Sequence, residues 1–273
     1  MPNKLYLECY SGISGDMTVA ALLDLGADQQ VLLEGLESLN LPGYQLKIGI
    51  VKKNGIDACD FDVILDEPEH HHDHDHEHHH EHDHEHHHEH DHEHHHEHDH
   101  EHHHDHDHEH HHDHDHEHHH HHDHVHRNIG DIFAIIDQSK ISDRAKQTAK
   151  DIFRIIAAAE SKAHGIAEDQ VHFHEVGAVD SIVDIVSAAI CLDNLDITEA
   201  VVSDLYEGCG YVHCQHGLMP VPVPAVVNIA ADNALCLHLT QTRGEMITPT
   251  GAAIAAYLSK GGKLPESFVI EKI

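Results

Sequence analysis

Of the 43 histidines in this 273-residue chain, 37 fall between His70 and His126, in a tract made only of His, Asp and Glu apart from Val125. Neutral imidazole ligates Ni, Zn and Cu, and a pKa of about 6.5 leaves most such rings unprotonated near neutral pH. The interleaved acids, from Asp73, Asp75, Glu77 and Glu81 to Asp123, attract divalent cations and add hard oxygen donors. The chemistry is reversible binding of transition-metal ions at many sites of moderate affinity. The repeated ligand sets are the triplets His78, His79 and His80; His86, His87 and His88; His94, His95 and His96; and His102, His103 and His104. A flexible repeat of this kind wraps an ion in many registers, which suits buffering and hand-over better than a fixed catalytic geometry. An affinity tag would be short, terminal and free of interleaved acids. A polyelectrolyte linker would need no histidine at all.

A second constellation is His172-Phe173-His174-Glu175-Val176-Gly177-Ala178-Val179-Asp180-Ser181-Ile182-Val183-Asp184. In an extended segment His172 and His174 share one face, and four residues apart on a helix Asp180 and Asp184 share another. Two imidazoles beside carboxylates can bind a divalent metal or divide acid and base roles. The alternative is a capped helix with solvated acids, but here the polar residues interrupt an otherwise apolar helix. In Ser11-Gly12-Ile13-Ser14-Gly15-Asp16-Met17, the glycines permit a tight turn, and free N–H groups at the following helix start can hold a phosphate. The segment is neither a Walker loop nor GxGxxG. On spacing alone an ordinary turn, with Ser14 as N-cap and Asp16 in the first helical turn, stands slightly ahead. In Arg243-Gly244-Glu245-Met246-Ile247-Thr248-Pro249-Thr250-Gly251-Ala252, Thr248 or Thr250 can cap a helix and Gly251 can expose N–H groups to an anion, or the segment is purely a structural turn. Cys209, His213, Cys214 and His216 follow a C-x3-H-C-x-H spacing that matches no common zinc pattern, and none of the six cysteines forms a CxxC pair.

These residues must be positioned by ordered elements. The hydrophobic periods predict a strand over residues 5–10, helices over 17–25 and 29–39, and a hairpin of 44–52 with 57–65 across Lys53-Asn54-Gly55. After the tract they predict helices over 130–138 and 142–164, with Ser142 as N-cap and Gly165 as stop, then a short strand or extended turn over 171–174 and an apolar helix over 178–195. Two strands are expected within 200–212. Pro220, Pro222 and Pro224 then form a rigid approach to a helix over 225–233, followed by a strand over 235–239, a helix over 250–259 and the start of a strand at 268–272. The tract has too little apolar surface to offset the entropy of ordering. The predicted fold class is α/β, mixed strands and helices with a long disordered His/Asp/Glu-rich insert. The predicted segments are 1–69, an N-terminal α/β part; 70–126, the tract; and 127–273, which completes the core.

Outside the tract, 216 residues carry 31 acids against 15 bases, which excludes nucleic acid and anionic membranes as partners. No apolar run reaches the roughly 18–20 residues that span a bilayer. Met1-Pro2-Asn3-Lys4 runs directly into a strand rather than a signal peptide, so a cytoplasmic location is expected. A homo-oligomer is left open.

The chain resembles the LarC family of nickel-insertion proteins in nickel-pincer cofactor biosynthesis. The resemblance rests on residues 5–17, on 171–185 around His172-Phe173-His174-Glu175, on His216-Gly217 with Pro220-Val221-Pro222-Val223-Pro224-Ala225, and on Gly244-Glu245 with Thr248-Pro249-Thr250-Gly251-Ala252-Ala253. It implies a carrier of Ni2+ that inserts the ion into pyridinium-3,5-bisthiocarboxylic acid mononucleotide, forming two Ni–S bonds and one Ni–C bond for lactate racemase and related apo-enzymes. It further implies that the chain corresponds to the family's N-terminal part, with CTP and Mg2+ or Mn2+ belonging to a C-terminal domain or partner. On this basis His174, Glu175, Asp180, Asp184 and Asp16 are expected to be catalytic. Gly12, Ser14, Gly15, Thr248, Thr250 and Gly251 are expected to hold the ligand, and His172 and His174 to receive nickel from the tract. The competing reading is a non-catalytic nickel store or metallochaperone. Imidazole chemistry alone would also serve zinc or cobalt.

Overall fold

The computed structural model describes residues 3–66, 127–171, 179–214, 216–262 and 264–273. The histidine tract with all its ligand triplets lies outside the described residues, and so do His172, His174 and Glu175.

Strand β1 (Asn3–Leu7) leads through a turn into α1 (Gly15–Asp24), then α2 (Gln29–Glu37) and the strands β2 (Tyr44–Lys53) and β3 (Ile56–Leu65). β2 and β3 pair as an antiparallel hairpin. Both turn residues, Asn54 (φ 53°) and Gly55 (φ 85°), take positive φ, the geometry whose twist matches that of the flanking strands. Beyond the tract come α3 (Ile129–Gln138), α4 (Asp143–His164), α5 (Val179–Asn194), β4 (Ile197–Val202), β5 (Leu205–Cys214), β6 (Gly217–Val221), α6 (Pro224–Asp232), β7 (Leu237–Arg243) and α7 (Pro249–Leu258).

The two kinds of helix follow from two sequence patterns. On α4, the buried residues Ala145, Ala149, Ile152, Phe153 and Ile156 recur every three or four positions, giving one apolar stripe. Its ends are set locally: the Ser142 side chain accepts from the Ala145 N–H, and Gly165 closes the helix at φ 67°. By contrast α5 and α7 are apolar on nearly every face, with Ile182, Val183, Ile185 and Val186 and also Ala252, Ala253, Ile254 and Ala255 wholly buried. Such helices can only lie inside. α5 therefore forms the centre, in contact with α1, α2, α4 and α7, while α7 also packs on α4 and α6. Leu22 and Leu36 from before the tract join Ile136, Ile152 and Ile190 from after it in one buried cluster, so the two flanks of the tract build a single unit.

The strands form three small sheets rather than one. β1 runs parallel to β4, β2 pairs with β3, and β5 lies between antiparallel β6 and parallel β7. The mixed helix and strand composition matches expectation. Two local expectations do not hold. Residues 217–221, read as part of a proline-stiffened loop, form the edge strand β6, where Pro220 opposite Tyr211 is tolerated because an edge needs no N–H on its outer side. Residues 268–272 take no regular structure although rich in strand formers: they pair with none of the described strands, and Val269 is 86% exposed. Among the described residues no helix is long and apolar enough to cross a membrane.

Candidate functional site

The segment after β1 closes a turn in which the Gly12 N–H donates to the Cys9 carbonyl (3.2 Å). It docks on the segment before α7: the Ile13 N–H donates to the Met246 carbonyl (2.9 Å), and the Thr248 N–H to the Ile13 carbonyl (3.1 Å). This approach is closer than side chains permit. A methyl group on Gly12, at φ +90°, would lie 2.0 Å from the Met246 oxygen, and one on Gly251 would lie 2.1 Å from the Ile13 oxygen. The helix starts are capped from within. Ser14 accepts from the Met17 N–H (3.4 Å) and donates to Asp16, and Thr248 accepts from the Gly251 N–H (3.1 Å) ahead of Pro249. Thr250 is buried in the first turn of α7.

The third wall is α5, which carries Asp180 and Asp184 one turn apart. A methyl group on Gly15 would lie 2.4 Å from an Asp184 carboxylate oxygen, so the absence of a side chain there seats Asp184 against the start of α1. Burial pushes the Asp184 carboxyl up from 3.8 to about 8, the charges of Asp16 and Asp180 add to this, and the Asp16 backbone N–H, donating to it, works the other way. Burial likewise raises Asp180 against the backbone N–H groups that bond it. One oxygen of each, Oδ1, is buried with no hydrogen-bond partner among the described residues. Buried polar atoms are ordinarily bonded, so this pair is primed to take a proton, a cation or a ligand donor.

The structure thus brings together Gly12, Ser14, Gly15, Asp16, Asp180, Asp184, Thr248 and Gly251, although the chain separates them widely. It also settles what the glycines do locally: they allow close approach of backbone or carboxylate. At the α1 start, the N–H groups of Asp16 and Met17 are engaged by Asp184 and Ser14. An incoming anion there meets two carboxylates. Cys209, Cys214, His213 and His216 do not assemble a three-donor metal group among the described residues. Cys209 pairs with Arg243 on β7, and His216 instead packs its ring 5.0 Å from that of His164.

Sequence reasoning missed Glu207. Fully buried on β5, it accepts through one oxygen from the N–H groups of Gly208 (2.7 Å), Met246 (2.7 Å) and Ile247 (3.2 Å), anchoring the segment on which Ile13 docks. The only signal was an acid within an otherwise apolar strand start. Glu207→Ala leaves two buried donors and a half-buried one without their acceptor and is expected to cost about 3–5 kcal/mol, read as a lower denaturation midpoint.

The family model described as nickel insertion protein matches residues 5–273. The chain belongs to the nickel insertion protein family. A relative from Alkaliphilus metalliredigens, named pyridinium-3,5-bisthiocarboxylic acid mononucleotide nickel insertion protein, is 56% identical over 274 residues, covering 100% of this chain and 56% of the relative. Relatives of the same name from Clostridium acetobutylicum (45% identical; 98% of this chain, 58% of the relative) and Acetivibrio thermocellus (36% identical; 98% and 55%) are similar over the same extent. The chain therefore spans just over half the length of these members of the nickel insertion family. No solved structure matches it.

Proposed function

We propose that this chain loads Ni2+ on its histidine tract and delivers it for insertion into pyridinium-3,5-bisthiocarboxylic acid mononucleotide, making the nickel-pincer cofactor used by lactate racemase-type enzymes in the cytoplasm. What carries the reading is family membership over residues 5–273. The geometry contributes a proton acceptor. Forming a Ni–C bond replaces a ring C–H bond, and the released proton needs a base. Asp184, buried beside Asp16 and Asp180 with a pKa near 8, has the basicity for this at neutral pH. In this reading His172, His174 and Glu175, which precede α5 in the chain, receive the ion from the tract and present it to the substrate sulfurs. The mononucleotide phosphate is assigned to the loop around Gly12, Ser14 and Gly15 or to that around Thr248, Thr250 and Gly251. CTP with Mg2+ or Mn2+ is assigned to the C-terminal part of the family, and no step here runs through it.

The test is maturation of the apo-cofactor with nickel and CTP, by this chain alone and with the family's C-terminal part added. Nickel incorporation in the combined reaction, lost in His174→Ala, supports the reading; His174→Ala maturing cofactor at the full rate removes that residue from the mechanism. Removal of residues 70–126 separates an insertase from a store or metallochaperone. An insertase still matures cofactor when nickel is plentiful, whereas a store contributes nothing without its tract.

A further inference from the structure

A separate group of donors lies at the entry of the parallel pair β5 and β7. Asp204 immediately precedes β5, Cys236 immediately precedes β7, and His238 is the second residue of β7. The strand register sets Tyr206 opposite His238, and the Leu205 N–H donates to the Cys236 carbonyl at 2.9 Å, so the sheet itself fixes all three positions. The His238 Nε2 lies 2.8 Å from the Asp204 carboxylate and 3.8 Å from the Cys236 sulfur. One ligand atom from each residue falls within 4.8 Å of the others, the only such set of three among the described residues. Donors sharing one ion, at metal–ligand lengths of about 2.0–2.3 Å, stand roughly 3–3.6 Å apart, so shifts of up to about an ångström in these exposed side chains close the site. The Tyr206 ring stacks on the His238 ring at 4.7 Å and 16°, holding the imidazole plane.

We propose that Asp204, Cys236 and His238 form a binding site for a single borderline divalent transition-metal ion of the Ni(II) and Zn(II) class. Thiolate, imidazole and carboxylate together match that class rather than Mg2+ or Ca2+, which take oxygen ligands. Binding exchanges the Cys236 thiol proton, released to solvent, for the ion. All three residues are exposed, and three protein donors leave a coordination position open to water or to an incoming ligand. A closed structural site would leave none. This is the form of a site that exchanges its ion. The Tyr206 N–H donates to the Cys9 carbonyl (3.2 Å) and its ring meets that of Tyr10 edge-on at 5.4 Å, so the site adjoins the lead-in to the Gly12–Gly15 turn. A part in handing on nickel rests on the proposed function, whereas ion binding does not.

The tract contains no cysteine, so thiolate-to-metal charge-transfer absorbance in the full chain separates a cysteine site from the many histidines, and Cys236→Ser separates this site from the five other cysteines. Titration of the intact protein with Ni(II) is expected to give a saturable near-ultraviolet band that disappears in Cys236→Ser. The band persists in Cys214→Ser, and in His238→Ala it needs roughly tenfold or more nickel. In parallel, Ni(II) protects Cys236 from iodoacetamide about tenfold in the wild type and not in His238→Ala, read peptide by peptide. Far-ultraviolet circular dichroism checks that each variant folds. The absence of any thiolate band at saturating nickel, its survival in Cys236→Ser, or an unchanged titration in His238→Ala each overturns the site. Cofactor maturation is scored separately: loss of maturation with the band intact counts against the insertion reading alone.

Discussion

Asp184→Asn is expected to slow cofactor maturation by about 10²–10⁴-fold, the usual contribution of a positioned proton-transfer group, while making the protein more stable in mild alkali. The two effects have one cause. An ordinary Asp ionises near 3.8, whereas burial and the neighbouring Asp16 and Asp180 push Asp184 to about 8. Between these values the folded chain keeps a proton that the unfolded chain releases. The stabilising contribution of that proton is fully present below pH 3.8, declines as pH rises and is gone above about pH 8. Asn cannot ionise, so the variant escapes this loss. Its melting temperature should match or exceed that of the wild type by a few degrees at pH 8–9, at about 2–4 °C per kcal/mol, and the gap should close on acidification. Maturation by the wild type should rise with pH through an apparent pKa near 8, a limb absent from the variant. Wild-type activity in Asp184→Asn would remove this carboxyl from the chemistry, and a gap in melting temperature that does not depend on pH would show that its burial is not what sets its proton affinity.

Gly12→Ala is expected to destabilise the fold by about 2–5 kcal/mol. Positive φ at a residue with a side chain costs roughly 1–2 kcal/mol, and forcing apart a packed contact adds about 1–3 kcal/mol. Gly12 combines φ +90° with a backbone oxygen 2.0 Å from where the methyl group would sit. Gly43 supplies the control, because it has φ +95° and nothing within 4 Å, so Gly43→Ala should cost only the first contribution. Chemical denaturation of the two variants isolates the docking of Ile13 on Met246. Equal losses would mean that the contact yields without cost. A larger loss in Gly12→Ala, accompanied by slower maturation, would tie the position of Gly15 and Asp184 to that docking.

Local features were legible in the sequence because their causes are local. Ser142 and Gly165 bound α4 through side-chain capping and left-handed backbone freedom, and Asn54-Gly55 fixes the β2–β3 register. Even where local cues spoke of strands they could fail, as at residues 268–272, because a strand needs a partner that propensity does not supply. The aspartates 180 and 184 stood out as acids on an apolar helix, but their altered proton affinity was not legible. It arises from burial of α5 against α1 and from an Asp16 carboxylate that sequence separation conceals. Glu207 was silent for the same reason, since its three donors come from its own neighbour and from residues about forty positions away.

By itself, the sequence determined which donor types the chain carries, since imidazole chemistry needs composition and not geometry, and its motifs carried the resemblance to nickel insertion proteins. Only the tertiary structure decided where carboxylates, glycines and helix starts meet, and that Asp204, Cys236 and His238 share one corner of a parallel sheet. Donor type is written in each residue, whereas donor distance and desolvation are properties of chains packed far from one another in sequence.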